Sequence, residues 1–119
     1  MAVALKHECA NVYRLEFCGT LRKADFEQCE ERLTAEMDRV GPVRLLCVLT
    51  QFDGWERHTD WNDLSFYTTG GRAIERIAIV GPPRWRSEAL MFAGADLRRA
   101  PVAFFPAGAA AAARAWLSS

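Results

Sequence analysis

Three short and nearly unbroken apolar segments most strongly limit what this chain can fold into. They cover residues 43–49, 77–80 and 102–105, and only Arg44 interrupts them. Strands that are apolar on both faces need cover on both faces, which is typical of parallel sheets in α/β proteins. The stretches between them have helical length. From Gly19 onward, the order helix, strand, helix, strand, helix, strand, helix therefore predicts largely parallel pairing.

The first part of the chain follows a different pattern. Residues 2–7 and 12–18 predict two strands, joined by a short turn at residues 8–11. In the second strand apolar residues alternate with charged ones, as expected for a strand with one wet face. Those apolar residues are Tyr13, Leu15 and Phe17. An antiparallel hairpin is therefore expected to open the fold, with His7 at a sheet edge and without a function.

A first helix is predicted after Gly19, because apolar residues there recur at spacings of three and four. Gly41 and Pro42 end it, since glycine tolerates a left-handed cap and proline cannot continue the helical hydrogen bonds. The apolar residues of this helix are Phe26, Cys29, Leu33, Met37 and Val40.

Three further helices are predicted, which makes about four in all. One covers residues 60–69, with Asp60 as its N-cap, and a second covers residues 84–95. The last begins at Pro106, because proline is well suited to the first helical position. Its expected inner face consists of Ala109, Ala112, Ala113 and Trp116.

Length and charge narrow the class of protein. The 119 residues are expected to form one domain, residues 1–119, with a core that needs neither disulfides nor a structural metal. Fifteen Lys and Arg residues balance fifteen Asp and Glu residues. A net charge of zero argues against nucleic acid as a partner, because phosphate binding draws on excess positive charge. The longest uncharged stretch, residues 100–113, is too short to span a bilayer. No integral membrane association is expected.

The cysteines and the first residues of the chain indicate a cytoplasmic location. The four cysteines, Cys9, Cys18, Cys29 and Cys47, are widely spaced and form no metal-binding pattern. They are expected to be buried or half-buried free thiols in a reducing compartment. The charged residues at positions 6 and 8 leave no apolar segment for a secretory signal.

Several local strings follow one another in a distinctive order along nearly the whole chain. They are Gly19 with Leu21 and Asp25-Phe26, residues 43–49, Trp55 and Trp61 with Leu64 and Phe66, residues 75–81 followed by Trp85, and Phe104-Phe105-Pro106. In this order they resemble the SpoIIAA-like family of the STAS superfamily (sulfate transporter and anti-sigma antagonist domains), whose members are largely bacterial. The resemblance implies a STAS-like sandwich related to the lipid-binding CRAL-TRIO domains: a mixed, mostly parallel five-stranded sheet with helices packed on it.

The same resemblance bears on regulation. In anti-sigma antagonists a kinase phosphorylates a serine in an Asp-x-Ser-Gly-like turn that follows a central strand. The matching turn here covers residues 50–55 and contains Asp53-Gly54 without a serine between them. No phosphosite is therefore carried over to this chain.

Aromatic side chains suggest where a binding site lies. Ligands of open α/β sheets bind beyond the carboxyl ends of the strands, which here means the predicted loops at residues 50–59 and 81–85. The predicted ligand-binding or partner-binding residues are Phe52, Trp55, Trp61, Phe66, Trp85, Met91 and Phe92. The alternative is that these side chains close the core or form a dimer contact.

A second group of residues is polar. His58 lies close in sequence to Asp53, Glu56 and Asp60, and an imidazole with carboxylates is suited to acid-base or metal chemistry. No nucleophile stands beside it in a recognisable motif. We therefore predict no catalytic residue, no metal and no cofactor, and a small enzyme that uses His58 is the least favoured alternative.

The function that follows is a non-enzymatic binding or regulatory module that works through an aromatic loop surface. Its partner is expected to be another protein or a small apolar ligand. The main alternative is a CRAL-TRIO-like carrier or sensor of a lipid, which requires an enclosed cavity of roughly 300 Å³ or more. A homodimer is a further hypothesis, since a second copy often covers an exposed aromatic patch.

Overall fold

The structure is a computed structural model that describes residues 3–57, 74–92 and 101–119. These residues form five strands, three α-helices and one 3-10 turn. In chain order they are β1 (Val3–Cys9), β2 (Val12–Leu21), α1 (Lys23–Val40), β3 (Val43–Trp55), β4 (Ile74–Gly81), the 3-10 turn (Pro83–Trp85), α2 (Arg86–Phe92), β5 (Val102–Pro106) and α3 (Ala110–Ser118).

The five strands form one sheet in the order β1-β2-β3-β4-β5. β1 pairs with β2 in antiparallel fashion, with Leu5 opposite Leu15, and every other pair is parallel. The opening hairpin and the mixed, mostly parallel sheet are thus confirmed.

Helices cover both faces of the central strands. On one face α1 buries Phe26 and Leu33, and α2 buries Ala89, against β-strand residues such as Leu45. On the other face α3 packs Ala113 and Leu117. The strand residues beneath α3 are Val12, Leu46, Ala78 and Val80. Successive side chains of a strand point to opposite faces, so an unbroken apolar strand such as residues 43–49 contributes to both core clusters.

Strands β2 and β3 are longer than predicted, which corrects the expected loop and turn at residues 50–55. Both continue past the apolar segment and stay paired as far as Leu21 and Trp55. The register shifts beside Gly19, and both Gly19 (φ +69°) and Gln51 (φ +49°) adopt left-handed backbone conformations. Such irregularities let two strands stay paired while their side-chain alternation is interrupted. Because the alternation is interrupted, the sequence pattern alone does not show that both strands continue.

The helix boundaries differ from the prediction in two places. The backbone at residues 83–85 forms a 3-10 turn, so α2 begins at Arg86. Pro106 pairs with Gly81 at the end of β5, and α3 begins only at Ala110. The carbonyl of Pro106 accepts the N–H of Ala109 in the intervening turn, at 2.9 Å.

Two predicted helices extend beyond the described residues. The helix predicted at residues 60–69 lies completely outside the described residues, and so does the predicted end of the third helix, residues 93–95.

The inner face of α3 differs from the prediction. Ala112 is exposed and Leu117 is buried, which corrects the expected inner face. The inner residues, Ala113 and Leu117, are four apart, as neighbours on one helical face are.

Two arginines fasten the end of α3 to the sheet. Arg44 of β3 and Arg76 of β4 lie opposite each other in the parallel register. Arg44 donates to the carbonyl of Leu117, and Arg76 donates to that of Trp116 at 2.6 Å. The Arg76 guanidinium also lies 5.3 Å from the centre of the Trp116 ring. The last carbonyls of a helix lack the N–H donors that the next turn would supply, and the two arginines satisfy two of these carbonyls.

The cysteines are only partly as predicted. Cys29 is buried in α1 and Cys47 is half-buried in β3, but Cys9 and Cys18 are exposed. Cys18 follows the buried Phe17 on β2 and points to the opposite, more exposed face, because strand side chains alternate.

Within the described ranges, none of the helices combines the length and the apolar character that crossing a bilayer requires.

Candidate functional site

Four of the predicted site residues meet in one aromatic cluster: Phe52, Trp55, Trp85 and Phe92. Phe52 and Trp55 lie in the last part of β3, Trp85 ends the 3-10 turn that follows β4, and Phe92 ends α2. The ring centroid of Phe52 is 4.9 Å from that of Trp55 and 5.2 Å from that of Trp85. The rings meet edge to face, an arrangement that aromatic pairs prefer. We call these four residues the aromatic cluster.

Local backbone features place Trp85 in this cluster. Trp85 donates its N–H to the carbonyl of Pro82 at 3.0 Å, which closes the 3-10 turn. Gly54 has a φ of +110°, and a Cβ at this position would lie 3.2 Å from Cη2 of Trp85. Glycine thus provides both the backbone conformation and the space that the Trp85 ring uses.

The aromatic cluster is continuous with the main core. Phe52 is only 2% exposed and lies edge to face with Phe17, with the ring centroids 6.4 Å apart. The ring centroids of Phe92 and Phe26 of α1 are 5.0 Å apart. Phe52 therefore closes the core, whereas Trp55 and Trp85 are half-buried at its margin. Met91 is 74% exposed and lies among the exposed residues of α2. Trp61 and Phe66 lie outside the described residues.

The two tryptophans share an unusual polar feature. The Nε1–H groups of Trp55 and Trp85 are both shielded from solvent, and neither has a hydrogen-bond acceptor in the described part of the chain. A buried indole N–H normally finds a partner, and leaving a donor unpaired costs about 1–3 kcal/mol. Two such donors therefore stand side by side, on rings whose centroids are 6.0 Å apart.

A small cavity lies beneath the aromatic cluster, between the sheet and helices α1 and α2. Its volume is about 40 Å³ and its wall is entirely apolar. Among the residues that line it are Leu15, Leu45, Cys47, Phe52, Trp55 and Phe92. This volume is far below the roughly 300 Å³ that a lipid-sized ligand needs, and an apolar cavity of this kind stays dry.

Two residues of the predicted polar cluster, Asp53 and Glu56, lie among the described residues. The Glu56 carboxylate accepts the backbone N–H of Lys23 at 3.1 Å, and the Glu56 N–H donates to the carbonyl of Leu21 at 2.8 Å. Arg22 stands at the N-cap of α1 without a side-chain cap, so Glu56 supplies the carboxylate that the helix start favours. Asp53 is exposed. His58 and Asp60 lie outside the described residues, which contain no group of three potential metal ligands.

The structure also contains a groove that was not predicted. It is open, has a volume of about 390 Å³, and lies between the β1-β2 hairpin and α1. It is lined by Leu5, His7, Tyr13, Arg32, Ala35, Glu36 and Arg39. In the sequence its strand residues look like ordinary core residues and its arginines like a solvated helix face. Only the lateral position of α1 over the hairpin brings the two groups together.

Comparison with known proteins agrees with this fold. A model of the SpoIIAA-like family matches residues 12–118. The chain is also similar to an uncharacterized protein of the DUF3478 family from Shewanella loihica PV-4, whose crystal structure at 2.25 Å resolution has a SpoIIAA-like fold. The TM-score is 0.75 at 24% identity, over 98% of this chain and 93% of that one. No curated protein matches the chain. The match over residues 12–118 shows that the chain belongs to the SpoIIAA-like family.

Proposed function

We propose that this protein is a non-enzymatic binding module that recognises another protein through Trp55 and Trp85. The observation that carries the proposal is the pair of half-buried indoles whose Nε1–H groups have no acceptor among the described residues. A buried donor that the described residues leave unpaired calls for an explanation, and a ligand acceptor is one. The carbonyl oxygens of a partner's backbone are acceptors of the required kind, and they reach these donors when the half-buried rings turn toward the surface.

The position and composition of the site support this function. Trp55 ends β3 and Trp85 follows β4, so both lie at the carboxyl ends of adjacent parallel strands, where α/β proteins bind their ligands. Tryptophan and arginine are the residues most enriched among those that dominate protein interfaces. Here the exposed Arg84 lies with its guanidinium 5.3 Å from the centre of the Trp85 ring.

The size of the cavity favours a protein over a lipid. A lipid carrier needs an enclosed volume several times the 40 Å³ beneath Trp55. A protein partner needs only a shallow surface with a few aromatic anchors, and the half-buried indoles of Trp55 and Trp85 fit that description.

The experiment is a quantitative pull-down with three forms of the protein as bait. Trp85→Phe keeps an aromatic ring and removes one N–H donor, and the wild-type protein is the reference. Trp116→Phe is the matched control. Trp116 belongs to α3, which packs on the opposite face of the sheet, and its ring contacts the Arg76 guanidinium. We expect a specific protein to be captured by the wild type and by Trp116→Phe, and to be depleted with Trp85→Phe.

Two outcomes contradict the proposal. Equal capture of the same proteins by all three baits would show that the Trp85 indole takes no part in recognition. A small apolar molecule that co-purifies with the wild type, detected by native mass spectrometry, would favour the carrier function instead.

A further inference from the structure

The first strand of the sheet is an edge strand. β1 pairs on one side with β2, and no strand among the described residues pairs with its other side. An edge strand presents a row of backbone N–H and C=O groups to a further strand. Ala4 and Lys6 of β1 are exposed.

Beside this edge lies the open groove between the hairpin and α1. Its floor comes from two buried side chains of the hairpin, Leu5 and the ring of Tyr13. His7 lies opposite Tyr13 in the strand register, with the two ring centroids 4.9 Å apart. The groove volume of about 390 Å³ falls in the range of binding sites and is large enough for several side chains.

The opposite wall of the groove is charged. It is formed by Arg32, Glu36 and Arg39, which lie along one face of α1. Arg39 and Glu36 neutralise each other through an ion pair of 2.6 Å. Arg32 is exposed and forms no ion pair with the described residues. The groove therefore offers a floor of Leu5 and the Tyr13 ring, and at Arg32 a guanidinium that no described residue pairs with.

We propose that this groove binds an extended peptide, which pairs with β1 as an additional strand and places an acidic side chain at Arg32. In this mode of recognition the backbone of the edge strand supplies affinity, and pockets for alternate side chains supply specificity. Alternate side chains of the peptide point to the same face, roughly 6–7 Å apart. One apolar side chain then lies on Leu5 and Tyr13, while the carboxylate two positions away reaches Arg32.

Charge complementarity favours an acidic peptide over a second copy of the chain that pairs about the centre of β1. Antiparallel pairing of β1 with itself about its centre brings Lys6 opposite Lys6, and like charges directly opposite each other are destabilising. An acidic peptide instead supplies the charge that Arg32 lacks. This site is separate from Trp55 and Trp85, so the inference does not depend on the proposed function.

The probe is a phage-displayed library of short peptides with an apolar residue fixed two positions before Asp or Glu. A selected peptide is then synthesised, labelled and titrated with the protein by fluorescence anisotropy. We expect Arg32→Glu to weaken its binding by about tenfold or more, because a charge-assisted hydrogen bond becomes a repulsion. Arg86→Glu is the matched control, since Arg86 is exposed on α2.

A second form of the peptide tests strand pairing directly. N-methylation of alternate backbone nitrogens removes the donors of one edge and leaves the side chains unchanged. We expect binding to be lost when the methylated nitrogens are those that face β1, and to be retained when they are the others. Binding that survives both patterns would overturn the proposal.

Further outcomes would also overturn it. They are a library that yields no binder, a peptide that binds Arg32→Glu as well as the wild type, and a dimer in solution that protects the β1 amides from hydrogen exchange. The last result would place a second copy at the edge. If circular dichroism shows that Arg32→Glu is unfolded, Arg32→Gln replaces it, with a smaller loss of affinity expected.

Discussion

The indole rings of Trp55 and Trp85 meet nearly at right angles, at an interplanar angle of 78° with their centroids 6.0 Å apart. This contact joins the end of β3 to the 3-10 turn after β4. Both rings also contact Phe52, which is part of the core. The packing of the candidate site and the stability of the fold are therefore coupled, and variants of the site need a measurement of stability beside any measurement of binding.

Gly54 provides the first test of this coupling. We expect Gly54→Ala to lower the free energy of unfolding by about 1–3 kcal/mol, because the residue has a positive φ and the new Cβ lies 3.2 Å from Trp85. Urea denaturation measures the change. Gly108→Ala is the control: a Cβ at Gly108 meets no atom within 4 Å, and φ there is not positive. Its expected effect is within about 0.5 kcal/mol. Equal effects of the two substitutions would contradict the prediction.

Glu56 is expected to stabilise α1 from outside the helix. Glu56→Ala removes the acceptor for the Lys23 N–H, and we expect a loss of about 1 kcal/mol in the free energy of unfolding. Glu56→Gln keeps an acceptor oxygen and loses the charge at the helix start, so its expected loss is smaller. Chemical denaturation measures both, with Asp53→Ala as a control at an exposed carboxylate. A Glu56→Ala variant as stable as the wild type would show that this cap contributes nothing.

Glu8 makes part of the stability depend on pH. A hydrogen bond from Arg114, at 3.1 Å, and the charges of Arg114 and Arg14 lower the pKa of Glu8, against the opposing effect of its burial. A carboxyl group with a lower pKa in the folded state stabilises the fold above its unfolded pKa, near 4.5. That contribution is lost as the pH falls through the folded pKa.

The Glu8→Gln variant tests this linkage. We expect it to be less stable than the wild type near pH 7, and the difference to shrink as the pH falls below about 4. Urea denaturation midpoints across this range measure the effect, with Glu31→Gln on the exposed face of α1 as the control. A stability difference between Glu8→Gln and the wild type that stays constant with pH would contradict the assignment.

The cysteines should differ in reactivity according to their burial. Burial raises the pKa of the Cys29 thiol, with a smaller opposing effect from Arg32, and the thiolate is the reactive form. Cys9 and Cys18 are exposed. We expect an alkylating reagent to modify Cys9 and Cys18 first in the folded protein, and Cys29 only on unfolding. Peptide mass spectrometry after timed quenching identifies each site, and early labelling of Cys29 would contradict its burial in α1.

Local patterns in the sequence were sufficient for the hairpin, for α1 and for the apolar centres of β3, β4 and β5. Alternation and helical spacing are properties of neighbouring residues, so they can be read without knowing what packs against them. The extension of β3 to Trp55 escaped prediction because it depends on pairing with β2, more than thirty positions earlier in the chain. The predicted start of the last helix at Pro106 was wrong for a similar reason, because pairing with Gly81 keeps Pro106 in β5.

The same distinction between local sequence pattern and tertiary contact applies to the candidate site. Parallel strands end at one edge of a sheet, and this topology alone indicated that Trp55 and Trp85 would lie near each other. Only the tertiary structure decided that their indole N–H groups are shielded and find no acceptor in the described part of the chain, that Glu56 caps α1, and that Arg32 and the edge strand line one groove. Each of these features depends on a few ångströms of separation between residues far apart in the chain. Hydrophobic periodicity determines which face of an element is buried, whereas hydrogen bonds and charge pairs depend on how the elements dock.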